Sequence, residues 1–183
     1  MLIHSPRFNI YLPVLMAVLM LLGCQSTETS KKKKLALLRV HIEATTPVPN
    51  RTREVSVLRL SPLQLHVEPT PFLTEEFVRN AQVIDTIGGF ALQVEFNRSG
   101  RHLLQQYTVG NQTRRLAIFS RFADPANVKN ESDRWLAAPR ISHAITNGML
   151  VFTPDATREE ADQIALGLRN VAGKLGTAKE PLL

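Results

Sequence analysis

The chain has 183 residues, a formal net charge of +6 and a single cysteine, which excludes a disulfide bond within it. Its hydrophobic content of 44% is enough for one packed domain. Four of the positive charges are the lysines at 31–34, and the remaining basic residues are mixed with acidic ones along the sequence. Because this distribution forms no basic patch with interleaved aromatic residues, nucleic acid is not expected as a partner.

The N-terminus has the three parts of a secretory signal peptide, which we predict over 1–23. His4 and Arg7 form a weakly basic start, and 14–22 is an unbroken apolar run. Gly23 is the small residue expected at the cleavage site. The apolar region is shorter than the roughly 20 residues that a transmembrane helix needs. Cleavage after Gly23 is therefore favoured over a retained membrane span.

The sequence Leu-Leu-Gly-Cys at 21–24 resembles the lipobox of bacterial lipoproteins. In that class the cysteine is acylated and the signal peptide is cut just before it, so the resemblance implies lipidation of Cys24. Leu22 departs from the smaller residue that is usual there, and an ordinary buried cysteine is the alternative. The resemblance places the protein in the cell envelope, anchored to a membrane and facing the periplasm. By the lipoprotein sorting pattern, an acidic residue directly after the cysteine retains the protein at the inner membrane. Gln25 stands at this position instead, so the outer membrane is favoured.

Residues 24–36 are predicted to be a lipidated, flexible tether, because they are mainly polar and show no apolar periodicity. The lysine run at 31–34 allows two interpretations, which the sequence leaves open. A lysine near anionic lipid contributes about 1 kcal/mol of attraction. The run is therefore either a patch attracted to the membrane or a solvated spacer.

The folded domain is predicted over 37–175, and a loose tail over 176–183. Alternation of apolar and polar residues is typical of strands with one buried face, and a continuous apolar run is typical of a buried strand. These two patterns predict strands at 38–44, 55–67 (with a break at Pro62), 90–96, 115–122 and 149–153.

Helical spacing of apolar residues predicts three helices. The first begins at Thr74, has acidic residues in its first turn, and continues to Ile84. Ser99 is the expected cap of the second helix. Thr157 and Glu160 form a capping box that opens the third.

The order of these elements predicts the fold class. Residues 123–134 are polar and are expected to form an exposed excursion, whereas 135–145 fit no single element. Strands and helices alternate, but no helix separates the earliest strands. We therefore predict an α+β fold, a two-layer sandwich in which a mixed β-sheet has helices packed on one face.

The sequence predicts neither an enzyme nor a metal or cofactor site. Hydrolases need a nucleophile with a base within reach, and no such pair stands out. The histidines lie outside any motif, and their spacings match no metal site: His41, His66, His102 and His143. Cys24, whose acylation is implied by the lipobox resemblance, is not counted as a nucleophile or a metal ligand. Among the possible functions, catalysis is therefore the weakest.

Trp135 is the one candidate for an exposed contact residue. It follows a charged segment and lies close to Arg134 and Arg140, so these three residues are a candidate partner-binding site. The alternative is that Trp135 is a core residue that covers one end of the sheet.

From Val67 onward, the order of short motifs resembles the first periplasmic head domain of the SecD subunit of the SecD/SecF protein-export machinery. The matching pieces span about 68–170 and comprise PFLT at 71–74, FALQVEFNRSG at 90–100, Tyr107 to Ile118 with its RLAI, APRI at 138–141 with Gly148, and the helix at 159–169. The chain departs from the family pattern at Arg121, where an acidic turn is usual, and at 122–134, which looks like an insertion.

This resemblance implies a head domain of a kind associated with contacting emerging polypeptide. SecD is a polytopic membrane protein, whereas this chain is expected to keep no spanning helix, so the proton-driven part of export is not implied. The expected function is a lipid-anchored, non-catalytic module that binds polypeptide or another envelope protein, at a sheet edge or near Trp135. The alternative is an envelope interaction scaffold with no role in export.

Overall fold

The computed structural model describes residues 34–127 and 130–179. The predicted signal peptide and the predicted lipidation site at Cys24 lie outside these residues. Within the described ranges, no helix combines the length and the apolar character needed to cross a membrane.

The described residues contain nine β-strands and two α-helices. The strands are β1 (Leu37–Ile42), β2 (Arg53–Val57), β3 (Leu63–Val67), β4 (Leu73–Thr74), β5 (Val78–Thr86), β6 (Gly89–Phe96), β7 (Leu116–Ala123), β8 (Glu131–Ala137) and β9 (Met149–Phe152). The helices are α1 (Arg98–Gly110) and α2 (Arg158–Leu175), and 3-10 turns cover Glu75–Phe77 and Thr177–Lys179.

The described strands form three antiparallel sheets. Their strand orders are β4-β1-β7-β8, β2-β3 and β5-β6-β9. The predicted α+β class is confirmed. The finer arrangement differs from one mixed sheet, because the β2-β3 hairpin and the β5-β6-β9 sheet are separate from the four-stranded sheet.

The main core lies between the helices and the inner faces of the four-stranded and three-stranded sheets. Val40 of β1, Ile118 of β7, Phe96 of β6 and Leu168 of α2 are all fully buried in it. Along β1, apolar residues at every second position point into this core, which is the period of a strand.

A second, smaller core lies on the opposite face of the four-stranded sheet. The β2-β3 hairpin buries Val55, Val57, Leu65 and Val67 there against Ala117 of β7. Because side chains alternate across β7, the strand supplies Ala117 to this core and its neighbours to the main one.

The prediction of a helix from Thr74 to Ile84 is wrong. A 3-10 turn is followed by β5, which pairs with β6 along its length. A register shift between Val78 and Asn80 marks a β-bulge. The extra residue places Val78 and Ala81, three positions apart, on the same buried face, so the apolar spacing imitates a helix.

The helix starts are partly as predicted. The capping box of α2 is confirmed, since the Glu160 N–H donates to Thr157 Oγ1 at 3.2 Å and the Thr157 N–H donates to Glu160 Oε2 at 2.8 Å. The cap of α1 is Asn97 instead of Ser99, because the Asn97 side chain accepts the N–H of Gly100 at 2.9 Å.

The predicted excursion at 123–134 is also only partly correct, because β8 begins at Glu131 and ends at Ala137, within the segment 135–145 that fitted no single element. β8 is the edge strand of its sheet, and its first residues are mostly exposed. An exposed edge strand tolerates charged residues on both faces, which is why its sequence lacks a clear alternation.

The segment that follows α2 packs against β5 at its start. Thr177 is nearly buried, and its hydroxyl donates to the carbonyl oxygen of Val78 at 2.6 Å. The last residues, 180–183, lie outside the described range.

The chain enters the domain in close contact with α2. The Asn170 side chain donates to the carbonyl oxygen of Lys34 at 2.8 Å. One turn earlier, Gly167 lies against Ala36: a Cβ added to Gly167 would be 2.6 Å from Ala36 Cβ and 2.7 Å from its backbone nitrogen. Any side chain at Gly167 would therefore force α2 and the start of β1 apart.

Replacing this glycine should destabilise the fold. Gly167→Ala is expected to lower the free energy of unfolding by about 1–3 kcal/mol, because the backbone of Ala36 has to shift. The matched control is Gly173→Ala in the same helix, where an added Cβ meets nothing within 4 Å and should stabilise by about 0.5–1 kcal/mol. Urea denaturation of both variants measures the difference; equal effects would contradict the tight contact.

Candidate functional site

A concave site on the outer face of the four-stranded sheet, here named the Trp135 pocket, surrounds the candidate contact residue. Its volume is about 380 Å³. The lining residues come from four strands and one loop: Arg39, His41, Arg53, Pro71, Phe119, Arg121, Asp133 and Trp135.

Strand register brings most of these side chains together. Phe119 of β7 is paired with Arg39 on one side and with Trp135 on the other, and Arg121 is paired with Asp133. Residues at every second position of a strand share a face, so all five point away from the main core. The β2-β3 hairpin covers only part of this face, and the rest forms the pocket.

The floor of the Trp135 pocket is aromatic. The Trp135 ring makes edge-to-face contacts with His41 and Phe119, at centroid distances of 5.2 and 5.4 Å. Trp135 is half-buried and also packs against the small core under the hairpin. One side of the ring thus supports the fold, while Trp135 also lines the pocket.

The charges at the rim are unevenly compensated. Arg121 forms an ion pair with Asp133 at 3.2 Å, and Arg39 lies 3.7 Å from Glu75. The Arg53 side chain makes no ion pair or hydrogen bond with any residue that the structure describes. Arg53 is therefore a cation that a ligand can reach.

His41 lies beneath this rim and is nearly buried. Its Nδ1 donates to the carbonyl oxygen of Glu68 at 2.8 Å. Burial is the main cause that lowers the pKa of His41 below its usual 6.5, and the charges of Arg53 and Arg39 lower it further, although the bond to Glu68 opposes them. The ring is therefore neutral at pH 7.

The structure does not bring Arg134 and Arg140 into the Trp135 pocket. Arg134 precedes Trp135 in β8 and so points to the opposite face, where it pairs with Glu160 and lies over the ring of Phe122 at 5.3 Å. Arg140 follows β8, and its Nη1 donates to the carbonyl oxygen of Thr113 at 2.8 Å. The three residues are close in sequence but belong to different surfaces.

A second concave surface, here named the β9 groove, lies beside β9. Its volume is about 500 Å³, and it is lined by Leu116, 139–147 and 149–151, including Arg140. β9 is the last strand of its sheet, so one of its edges has no neighbouring strand in the described part of the chain.

The backbone of β9 offers hydrogen-bonding groups at this edge. The Phe96 N–H donates to the Gly148 carbonyl oxygen at 3.0 Å, which makes these two residues a hydrogen-bonded pair. Such pairs alternate along antiparallel strands, so the backbone groups of Met149 and Val151 point away from β6. The Met149 N–H is already bonded to Asn147 Oδ1 at 3.0 Å, whereas no group in the described part of the chain bonds the outward N–H or carbonyl oxygen of Val151.

The sequence predicts a contact at a sheet edge without locating it at β9, and it misses most of the Trp135 pocket. The alternation along each strand was visible, but the register that joins Arg39, Phe119 and Trp135 was not. Among the described residues, no group of three or more histidine, cysteine or acidic side chains is placed to hold a metal ion.

Comparison with known proteins gives the family. The model of the SecDF P1 head subdomain matches residues 52–175, about two thirds of the chain, and the chain belongs to this family. No curated protein matches the sequence.

Two solved structures share the fold. A crystal structure of SecDF in its super-membrane-facing form has 22% sequence identity and a TM-score of 0.52, covering 81% of this chain and 20% of its own. A structure of SecDF described as a membrane component that enhances protein export has 19% sequence identity and a TM-score of 0.50. The match covers 98% of this chain and 74% of that one. The chain thus spans about a fifth of the length of the first.

The buried His41 should make stability fall in acid. Its folded-state pKa is lowered, so the unfolded chain binds a proton first, and the free energy of unfolding should decrease as the pH drops below about 6.5. Urea denaturation midpoints measured from pH 8 to about pH 5 should show this loss, and His41→Gln should reduce it. The control His66→Gln removes an imidazole outside the pocket and should keep the loss; an unchanged pH profile in His41→Gln would contradict the assignment.

Proposed function

We propose that the protein is a lipid-anchored, non-catalytic polypeptide-binding module of the cell envelope, accessory to protein export. Membership of the SecDF P1 head family supports a domain related to export. The open edge of β9 is the observation on which the binding proposal rests. The whole activity of SecDF is not transferred, since this chain spans only part of that protein.

In this proposal, an extended polypeptide adds a strand to β9. The N–H and carbonyl groups of Val151 face outward, and the groove beside them accommodates alternate side chains of the added strand. Main-chain hydrogen bonds give affinity without selecting a sequence, and this suits a module that has to bind many different chains. Exposed apolar side chains at Met149 and Val151 add contact area.

Anchoring is the second part of the proposal, and its basis is the sequence alone. The lipobox-like segment at 21–24 implies acylation of Cys24 after removal of 1–23. Two or more acyl chains hold a protein firmly on a bilayer, whereas one chain binds only marginally. Gln25 favours the outer membrane, so the domain would face the periplasm from there.

The alternative function is a scaffold that binds one folded partner and has no role in export. The Trp135 pocket favours it, because an aromatic floor with arginines at the rim is a preformed, relatively rigid contact surface. The two functions differ in what is bound: many unfolded chains at the edge of β9, or a single folded protein at the pocket.

Blocking the open edge should weaken polypeptide binding. Val151→Pro removes the outward N–H but no bond to β6, so the fold should persist while affinity for a permanently unfolded protein drops about five- to tenfold. Fluorescence anisotropy of a labelled, carboxymethylated protein measures this affinity.

The control is Val151→Thr, which has nearly the same shape and keeps the N–H. It should bind as well as the natural protein, and circular dichroism should show the same fold in both variants. Equal affinity in Val151→Pro and Val151→Thr, or capture of one folded partner in place of unfolded chains, would refute strand addition.

The anchor is tested by intact-mass spectrometry of the native protein. The expected product begins at Cys24 and carries the added mass of acyl chains. In Cys24→Ser the added mass should disappear, and the protein should leave the membrane fraction, because no acyl chain remains to hold it there. A natural product that retains Met1 and a free thiol would overturn the anchoring proposal.

A further inference from the structure

The Trp135 pocket combines an apolar floor with positive charge at its rim. Three arginines line it, and Asp133 is its one acidic lining residue. His41 is neutral at pH 7 and adds no charge. This composition differs from the β9 groove, which is lined mainly by uncharged residues.

The cations surround the floor instead of converging on one point. Arg39 is paired with Phe119, and Arg121 is two residues further along β7 on the same face, so the two arginines are diagonal neighbours. The Cα atoms of diagonal neighbours on a sheet are about 7–8 Å apart. Arg53 approaches from the β2-β3 hairpin. Separated cations match carboxylates spaced along a chain better than they match one compact anion.

The existing ion pairs do not block such a ligand. The side chains of Arg121 and Asp133 are 46% and 57% exposed, and Arg39 is 39% exposed with Glu75 at the longer distance of 3.7 Å. Exposed pairs of this kind contribute little stability, so a carboxylate of a ligand can replace or share them. Arg53 has no partner to give up among the residues that the structure describes.

We propose that the Trp135 pocket binds an acidic segment of polypeptide in which carboxylates are interspersed with apolar or aromatic side chains. The apolar side chains lie on Trp135 and Phe119, and the carboxylates pair with Arg53 and then with Arg39 and Arg121. A guanidinium donates two parallel hydrogen bonds to a carboxylate, which gives such a site its orientation. The neighbouring hairpin leaves the floor recessed, which suits a narrow chain better than a flat lipid surface.

This site is separate from the edge of β9. It shares no lining residue with the β9 groove, and its selectivity comes from side chains, whereas strand addition uses the backbone. The inference therefore does not depend on the proposed function, and each can fail without the other.

Trp135 provides the measurement, because it is the only tryptophan in the chain. Titration of the full mature protein with a synthetic peptide rich in both glutamate and phenylalanine should change the tryptophan emission. The same peptide with glutamine in place of glutamate should bind at least tenfold more weakly. Raising the salt concentration should weaken binding of the glutamate peptide but not of the glutamine peptide.

Two arginine variants form the matched pair. Arg53→Gln should weaken binding of the glutamate peptide about tenfold, since a charge-assisted contact is lost. Arg51→Gln makes the same change of charge two residues away, at a position that does not line the pocket, and should leave affinity unchanged. The variant Val151→Pro should also keep the fluorescence response, because it alters only the edge of β9.

Several results would overturn the inference. Equal affinity for the glutamate and glutamine peptides would remove the charge argument, and equal losses in Arg53→Gln and Arg51→Gln would remove the site. The protein should also be reconstituted in zwitterionic and in anionic vesicles without peptide. A change in tryptophan emission in anionic but not in zwitterionic vesicles would assign the pocket to lipid instead of polypeptide.

Discussion

The pairing of β1 with β7 is the constraint on which the rest of this fold depends. The two strands run antiparallel over six residue pairs, from Leu37 opposite Arg121 to Ile42 opposite Leu116. On one face they supply apolar side chains to the main core, and on the other they carry the hairpin and the floor of the Trp135 pocket. A slip by one residue would exchange these faces.

The two candidate surfaces follow from how this arrangement ends. The Trp135 pocket exists because the β2-β3 hairpin is too short to cover the whole outer face of the four-stranded sheet. The β9 groove exists because the three-stranded sheet ends at a four-residue strand that no described strand continues. One surface presents side chains and charge, while the other presents main-chain groups. Under the two proposals, the main-chain groups would hold a polypeptide without selecting its sequence, and the pocket would discriminate among sequences.

The sequence predicted those features that depend on local physics. Alternation predicts β1 and β6, and the capping box predicts the start of α2, because each signal lies within a few neighbouring residues. The bulge in β5 was misleading, since one inserted residue changes a strand period into a helical one. The charged neighbours of Trp135 in the sequence predict it as a contact residue, but Arg134 beside it points to the opposite face. Pocket partners such as Arg39 and Arg53 are far away along the chain, and only the non-local register brings them together.

The way in which the chain enters the domain has a mechanical consequence. Lys34 is held by Asn170, and β1 follows directly, antiparallel to β7. Tension applied at this end along β1 would load the hydrogen bonds between β1 and β7 in shear, so that all must yield together and not one after another. Pulling on the domain through its N-terminal end would therefore meet the resistance of the whole strand pair at once.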